Sequence, residues 1–540
     1  MSVPVRTLLA MVLDGAAADG ATPILTFVDI NAAGAFVEEV RSYDDLLRSG
    51  RELGGGLRGE GMGEGDAFAI IMRNHPEFVE AMVASEIAGT VFVPIDPRTR
   101  GDKLAYMLRF SRCRGAIVTR DVLPHLDAIR GGLPDLAWVW VIDAGGSHQP
   151  GHRALADVRA AAVPVQDVSP RPGDAPMQML FTSGTTGDPK AILAPHARFA
   201  AVASLGPVMG LAPGDRLYTG LSLTHANAQL ITLGNGLSAR LPVVISRQFT
   251  KSRLWEILAR YGCTSFNLLG GMATAIFAEP DGPFDRQHAV RFVLSAGMPA
   301  TMWRAFEARF GVAIFEFFGA AEGGLSLNPP STGPVGSIGK PPLGGICEIL
   351  DEAGAILPPG EPGEICFRNA DGTVAPVLYF GNPAASAAKT RGGWFHTGDI
   401  GWKDGDGWLF FSHRDGHSIR RNGDFIDARA IETAIAGMAG VADIYVYGLA
   451  TPQNTPGEKE VIAAIVAGSG FDPHSIIPTC AQALGSANTP TYLQIVDTIP
   501  KTASEKPQDR HLIAMIESGT CRLYDRNGPT TWKKQERIAS

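Results

Sequence analysis

No stretch of this sequence approaches the ~20 consecutive apolar residues that span a bilayer. The opening segment, MSVPVRTLLAMVLDGAAADG, carries an apolar run of only a few residues, closed by Asp14. Membrane insertion is excluded on this ground, and the expectation is a soluble, cytoplasmic protein. Positive charge is also in short supply. With 47 Lys and Arg against 55 Asp and Glu the formal charge is −8, and no dense Lys/Arg stripe exists to displace counterions from a phosphate backbone, so nucleic acid is not expected as a partner. Cysteine is scarce: Cys113, Cys263, Cys347, Cys366, Cys480 and Cys521 lie far apart without a CxxC pair, which argues against a metal knuckle or a redox pair. They are expected to be reduced, buried and inert. Internal repeats and low-complexity tracts are absent as well.

What remains is an ordinary globular composition, 45% apolar and 19% charged, with 64 Gly and 38 Pro spread along the chain. At 540 residues the chain exceeds the size at which a single core stops growing, so a large domain with at least one smaller one is expected. Short β-branched runs at Ala67–Met72, Thr90–Ile95 and Gly115–Thr119 alternate with amphipathic stretches such as Pro76–Ile87. That alternation predicts parallel βαβ units in a layered α/β body, continued by strands at Leu241–Ser246 and Val290–Ser295 and a helix at Arg253–Tyr261. Around Gly401–Phe411 the character changes to a Gly/Asp-rich hairpin that runs into a charged link, SHRDG. The domains are therefore set at 1–412 and 417–540, with 413–416 between them. The second is read as a small α+β cap with a helix over Ala428–Ala436, strands at Asp443–Tyr447 and Val461–Val466, and a basic C-terminal tail.

The most informative segment is Phe181–Lys190, FTSGTTGDPK, which follows an apolar strand. Gly184 and Gly187 bare the backbone N–H groups, the hydroxyls of Thr182, Ser183, Thr185 and Thr186 add donors, and Lys190 adds a positive charge. Such a set suits a polyphosphate. It is not a Walker loop, which needs Gly immediately before its Lys, where Pro189 stands. Other segments are bland when read alone: Phe318–Glu322 is a small-residue loop, Ser412–Gly416 a solvated linker, Lys506 a surface lysine in a basic tail and His225 a core or surface residue.

Taken together and in this order, these segments resemble the adenylate-forming superfamily of acyl- and aryl-CoA ligases, peptide-synthetase adenylation domains and luciferases, over about Leu53–Leu512. The resemblance implies a large N-terminal layered α/β domain with a small mobile α+β C-terminal domain. It implies that the Thr182–Lys190 loop holds the ATP phosphates. Phe318, Gly319 and Ala320 resemble the adenine-binding part of Tyr-Gly-x-Thr-Glu, with Glu322 as the Mg²⁺ ligand and Ala321 where the family has Thr. Trp394–Ile400 resembles the Thr-Gly-Asp signature, which makes Asp399 the ribose ligand and Arg414 its companion. Gly416 falls at the family's hinge. Pro500–Lys506 resembles the C-terminal Pro-Lys-Thr-x-x-Gly-Lys segment, with Glu505 in place of Gly and Lys506 as the catalytic lysine beside Glu322 and Lys190.

The resemblance further implies that Leu221–Gln229 supplies His225 and Asn227 to the acid pocket. Phe266–Met272 would supply Asn267, Gly270, Gly271 and Met272, the two glycines leaving volume for a ring or chain. Ser295–Pro299 would supply Ala296 to the acid and Gly297 to the nucleotide. The activity implied is ATP- and Mg²⁺-dependent adenylation of a small carboxylic acid, then thioester formation with coenzyme A. Transfer to a carrier protein, nitrite-dependent diazotisation of an aromatic amine on the same fold, and a scaffold without turnover are the alternatives.

Overall fold

In this computed structural model the described residues are 5–142, 151–182, 189–342, 344–414, 419–421, 424–426, 428–450, 459–484, 489–502, 505 and 507–531. The hydrophobic alternation of the first 330 residues is spent on two sheets. One has eight strands in the order Leu325–Asn328, Ala313–Gly319, Phe292–Ala296, Ser265–Leu269, Leu217–Thr219, Val243–Ser246, Pro23–Ile30, Phe36–Ser42. The other has seven, with Ala67–Ile71 between Cys113–Thr119 and Val91–Pro94. The strands read from the sequence are present, with ends moved by one or two residues.

Helices Tyr43–Gly59 and Pro76–Ala88 are packed between the sheets, and one core joins Leu53, Leu57, Phe78 and Met82 to Phe68 and Ile70 of one sheet and Phe27, Val243 and Ile245 of the other. Local signals agree with this placement. Ser42 and Asp45 form a reciprocal capping box at the start of the first helix. Pro76 starts the second helix, and Gly89 ends it at φ 78.

A four-stranded antiparallel sheet, Gly345–Leu350, Gly363–Asn369, Phe395–Lys403, Leu409–Arg414, closes the large domain and packs on Leu180 and Ile192. The predicted hairpin is its last strand pair, Gly401 opposite Phe411. Ser412, His413 and Arg414, read from the sequence as the start of a link, are instead the end of the final strand.

The C-terminal part also departs from expectation. Rather than a tail, it holds helices Pro473–Leu484 and Asp509–Ser518 and three further strands in a five-stranded sheet. The strand Glu460–Ala467 is covered on both faces. Val461, Ala463 and Ile465 meet Ile431 and Ile435 of helix Ala428–Ala436 together with Ile476 and Cys480, while Ile462 and Ala464 meet Leu512 and Ile516. Truncating Ile431 to Ala would cost about 2–5 kcal/mol. The cysteines are unpaired and all but Cys521 are buried. Among the described residues no helix is long and apolar enough to cross a membrane.

Candidate active site

The strands Leu217–Thr219, Ser265–Leu269, Phe292–Ala296 and Ala313–Gly319 run parallel, so their carboxyl ends converge on one edge. The predicted residues lie towards these ends: His225 and Asn227 in the segment that follows the first, Asn267 within the second and Gly270, Gly271 and Met272 just beyond it, Ala296 and Gly297 at the third, Phe318 and Gly319 at the fourth. Carboxyl ends of parallel strands are where α/β sheets open crevices for ligands.

The phosphate-loop segment connects the neighbouring antiparallel strands Pro176–Thr182 and Lys190–Pro195, with Thr182 opposite Lys190. Ser183, Gly184, Thr185, Thr186 and Gly187 lie outside the described residues, as do Gly416 and Lys506. The Lys190 Nζ lies 5.6 Å above the Tyr379 ring. The Tyr379 hydroxyl donates to Glu322 Oε1 at 2.9 Å. Two predicted residues from distant segments are thus joined through a tyrosine that sequence reasoning missed. Arg198 was missed as well: its Nη2 donates to the Ala320 carbonyl at 2.8 Å, and burial pulls its pKa below the usual value against the opposing pull of Glu322. Ala321 packs against the cluster of Tyr379, Phe395 and Leu180, and Phe318 stacks on Phe367 with centroids 6.1 Å apart.

Asp399 is 2% exposed, and its backbone pairs with that of Arg414 across the hairpin. The strand that carries it is braced from several sides. Gly398, at φ 76, gives its N–H to Glu364 Oε1 at 2.8 Å. Asp399 N–H goes to Thr397 Oγ1, and Lys389 donates to the carbonyls of His396 and Thr397, both at 2.9 Å. The ligand atoms of Glu364, Cys366 and His396 lie within 4.8 Å of one another. His396 Nδ1 lies 2.7 Å from the Glu364 carboxylate and 3.4 Å from Cys366 Sγ, and its Nε2 lies 3.2 Å from the Arg391 carbonyl. Through Glu364 this cluster braces the Thr397–Asp399 backbone.

On the acid side, His225 Nδ1 accepts from Asn227 N–H at 3.3 Å, and burial pushes its pKa down to about 4, so the ring is neutral near pH 7. Asn267 donates to Asn227 Oδ1, and its own buried Oδ1 has no partner among the described residues. Met272 is buried. The expectation that Gly270 leaves volume for the acid is corrected by the structure. A Cβ there would sit 2.4 Å from the Gly297 carbonyl oxygen, so its smallness permits a close backbone approach. A Cβ at Gly271 would face the Glu505 carbonyl oxygen at 4.0 Å, which brings the Lys501–Pro507 turn of the small domain against this pocket helix.

The AMP-binding enzyme family matches residues 26–377, and the AMP-binding enzyme C-terminal domain matches residues 430–506. A medium/long-chain-fatty-acid–CoA ligase, FadD17, of Mycobacterium marinum is 29% identical over 82% of this chain and 85% of its own length. The sulfoacetate–CoA ligase of Cupriavidus necator is 29% identical over 87% of this chain and 92% of its own. In fold, the chain resembles the anthranilate CoA ligase AuaEII in complex with anthranoyl-AMP, with a TM-score of 0.83 at 22% identity over 96% of this chain and 99% of that one. A benzoate CoA ligase from Burkholderia xenovorans LB400 aligns with a TM-score of 0.80 at 21% identity over 94% and 99%. The chain belongs to the AMP-binding enzyme family and is an adenylate-forming ligase of the acyl/aryl-CoA synthetase type.

Proposed function

We propose that the protein activates a small carboxylic acid with ATP and Mg²⁺ as its acyl-adenylate and then transfers the acyl group to coenzyme A. The observation that carries this reading is the contact chain Lys190, Tyr379, Glu322 beside the convergent strand ends. It sets a cation for phosphate oxygens next to an anionic oxygen held by a hydroxyl, a donor set that fits a hard divalent cation and a polyphosphate. Bound at Glu322, Mg²⁺ would neutralise phosphate charge.

The chain's own groups have distinct tasks. Lys190 and the loop of Thr182, Ser183, Gly184, Thr185, Thr186 and Gly187 hold the phosphates. Phe318, Gly319, Ala320 and Gly297 hold the adenine. Asp399, buried and rigidly braced, takes the ribose hydroxyls with Arg414. His225, Asn227, Asn267, Met272 and Ala296 line the acid pocket. Lys506 approaches with the Glu505 turn and neutralises charge as pyrophosphate leaves. Positioning and charge complementarity supply the rate.

We place the pivot for the second half-reaction at Gly416, beyond the strand that ends at Arg414. Unpaired cysteines fit a reducing, cytoplasmic setting. The test is acid-dependent pyrophosphate release, with and without coenzyme A. Thioester formed only with coenzyme A supports the reading; release without any thioester points to another acyl acceptor.

A further inference from the structure

The Gly297–Met298 turn is gripped from two sides. Within the large domain, fully buried Glu316 accepts from the N–H groups of both Gly297 and Met298. From the small domain, Arg429 in the first turn of helix Ala428–Ala436 donates from one guanidinium nitrogen to the Gly297 and Met298 carbonyls, both at 2.8 Å. Guanidinium, peptide units and carboxylate stand in series, and each charge polarises the peptides for the other. The turn cannot easily yield: Gly297 sits at φ 101, and the Gly270 backbone packs against its carbonyl.

The grip lies beside an opening between the domains. Between the domains lies a cavity of about 630 Å³ whose wall includes Gly271, Phe277, Met302, Arg429, Tyr445 and Lys501. Inter-domain interfaces of this kind permit relative motion, and the Arg429 hydrogen bonds are polar contacts that cross this one. The orientation held in this way is the one that sets the Glu505 turn against Gly271.

We propose that Arg429 is a positioning residue: its grip on the Gly297 and Met298 carbonyls latches the small domain in the orientation that brings the Lys501–Pro507 turn to the large domain, and its release frees that domain for the thiol step. The inference rests on the two-step ligase reading. It assigns Arg429 to the first half-reaction alone.

The test compares wild type, Arg429→Ala and Arg429→Lys in three measurements. These are acid-dependent exchange of pyrophosphate into ATP, thioester formation from a supplied synthetic acyl-adenylate and coenzyme A, and small-angle X-ray scattering of the ligand-free chain. Losing charge-assisted hydrogen bonds should slow exchange in Arg429→Ala by about tenfold or more. The thioester step should stay within about twofold of wild type, Arg429→Lys should recover part of the exchange rate, and scattering of the Ala variant should show a larger radius of gyration. Equal losses in both half-reactions would mean a merely structural role and overturn the proposal, as would exchange at the wild-type rate. If wild type itself exchanges with no acid, the ligase reading falls, and scattering alone decides the latch: superimposable curves for wild type and Arg429→Ala overturn it.

Discussion

Replacing Tyr379 with Phe removes one oxygen and leaves the ring. The ring packs with Leu180, Ile192 and Phe395 and covers Lys190, and both features survive the substitution. What is lost is the 2.9 Å hydrogen bond to Glu322 Oε1. A hydrogen bond to a charged acceptor contributes about 1.5–3 kcal/mol, or roughly 10- to 150-fold in an equilibrium constant. Glu322 is half-buried and water can replace part of the contact, so the lower end applies. The Mg²⁺ concentration for half-maximal pyrophosphate release should therefore rise about tenfold in Tyr379→Phe. The assay is a Mg²⁺ titration of acid-dependent release at saturating ATP. A titration superimposable on wild type would refute the proposal that Tyr379 orients Glu322 for Mg²⁺.

Three further outcomes follow from the same geometry. Asp399→Asn keeps the shape of a buried side chain but loses its charge, and should raise KM for ATP by about 10- to 100-fold while leaving KM for the acid near wild type. Glu364→Gln weakens the acceptor for Gly398 N–H and His396, and should lower stability by about 1–3 kcal/mol in thermal unfolding and raise KM for ATP. Burial raises the Glu316 pKa to about 7 from an ordinary 4.5, so the folded state is penalised once the group ionises. Stability should fall as pH rises from about 4.5 to 7, by up to roughly 3 kcal/mol, and Glu316→Gln should flatten that dependence in denaturant titrations.

Of the candidate site, the phosphate-loop segment was legible from its own residues, and the other segments from their order along the chain. The Thr182–Lys190 loop stands out by its donors and charge after a strand-forming run, whereas Glu322 and Asp399 are reached only through the resemblance. Tyr379 was missed, since it is a single aromatic 57 residues from its partner, and only the pairing of its segment with strand Lys190–Pro195 brings it to the loop of Glu322. Glu316 was hidden inside the apolar run AIFEFF, where an acid reads as an exception in a core strand. Gly270 was misread because smallness serves close backbone approach as well as open volume, and spacing does not distinguish the two. The folded C-terminal segment escaped notice partly because Pro478 lies inside helix Pro473–Leu484 and reads as a helix breaker.

The central claim is that ATP cleavage here is driven by a carboxylic acid and depends on the small domain's Lys506. Its most direct test is pyrophosphate release from ATP and Mg²⁺ across aryl, fatty and other carboxylic acids, with and without coenzyme A, in wild type and Lys506→Ala. Acid-dependent release that collapses in Lys506→Ala, with thioester appearing when coenzyme A is present, is the predicted result. Release that ignores the acid, or that persists undiminished in Lys506→Ala, would contradict it.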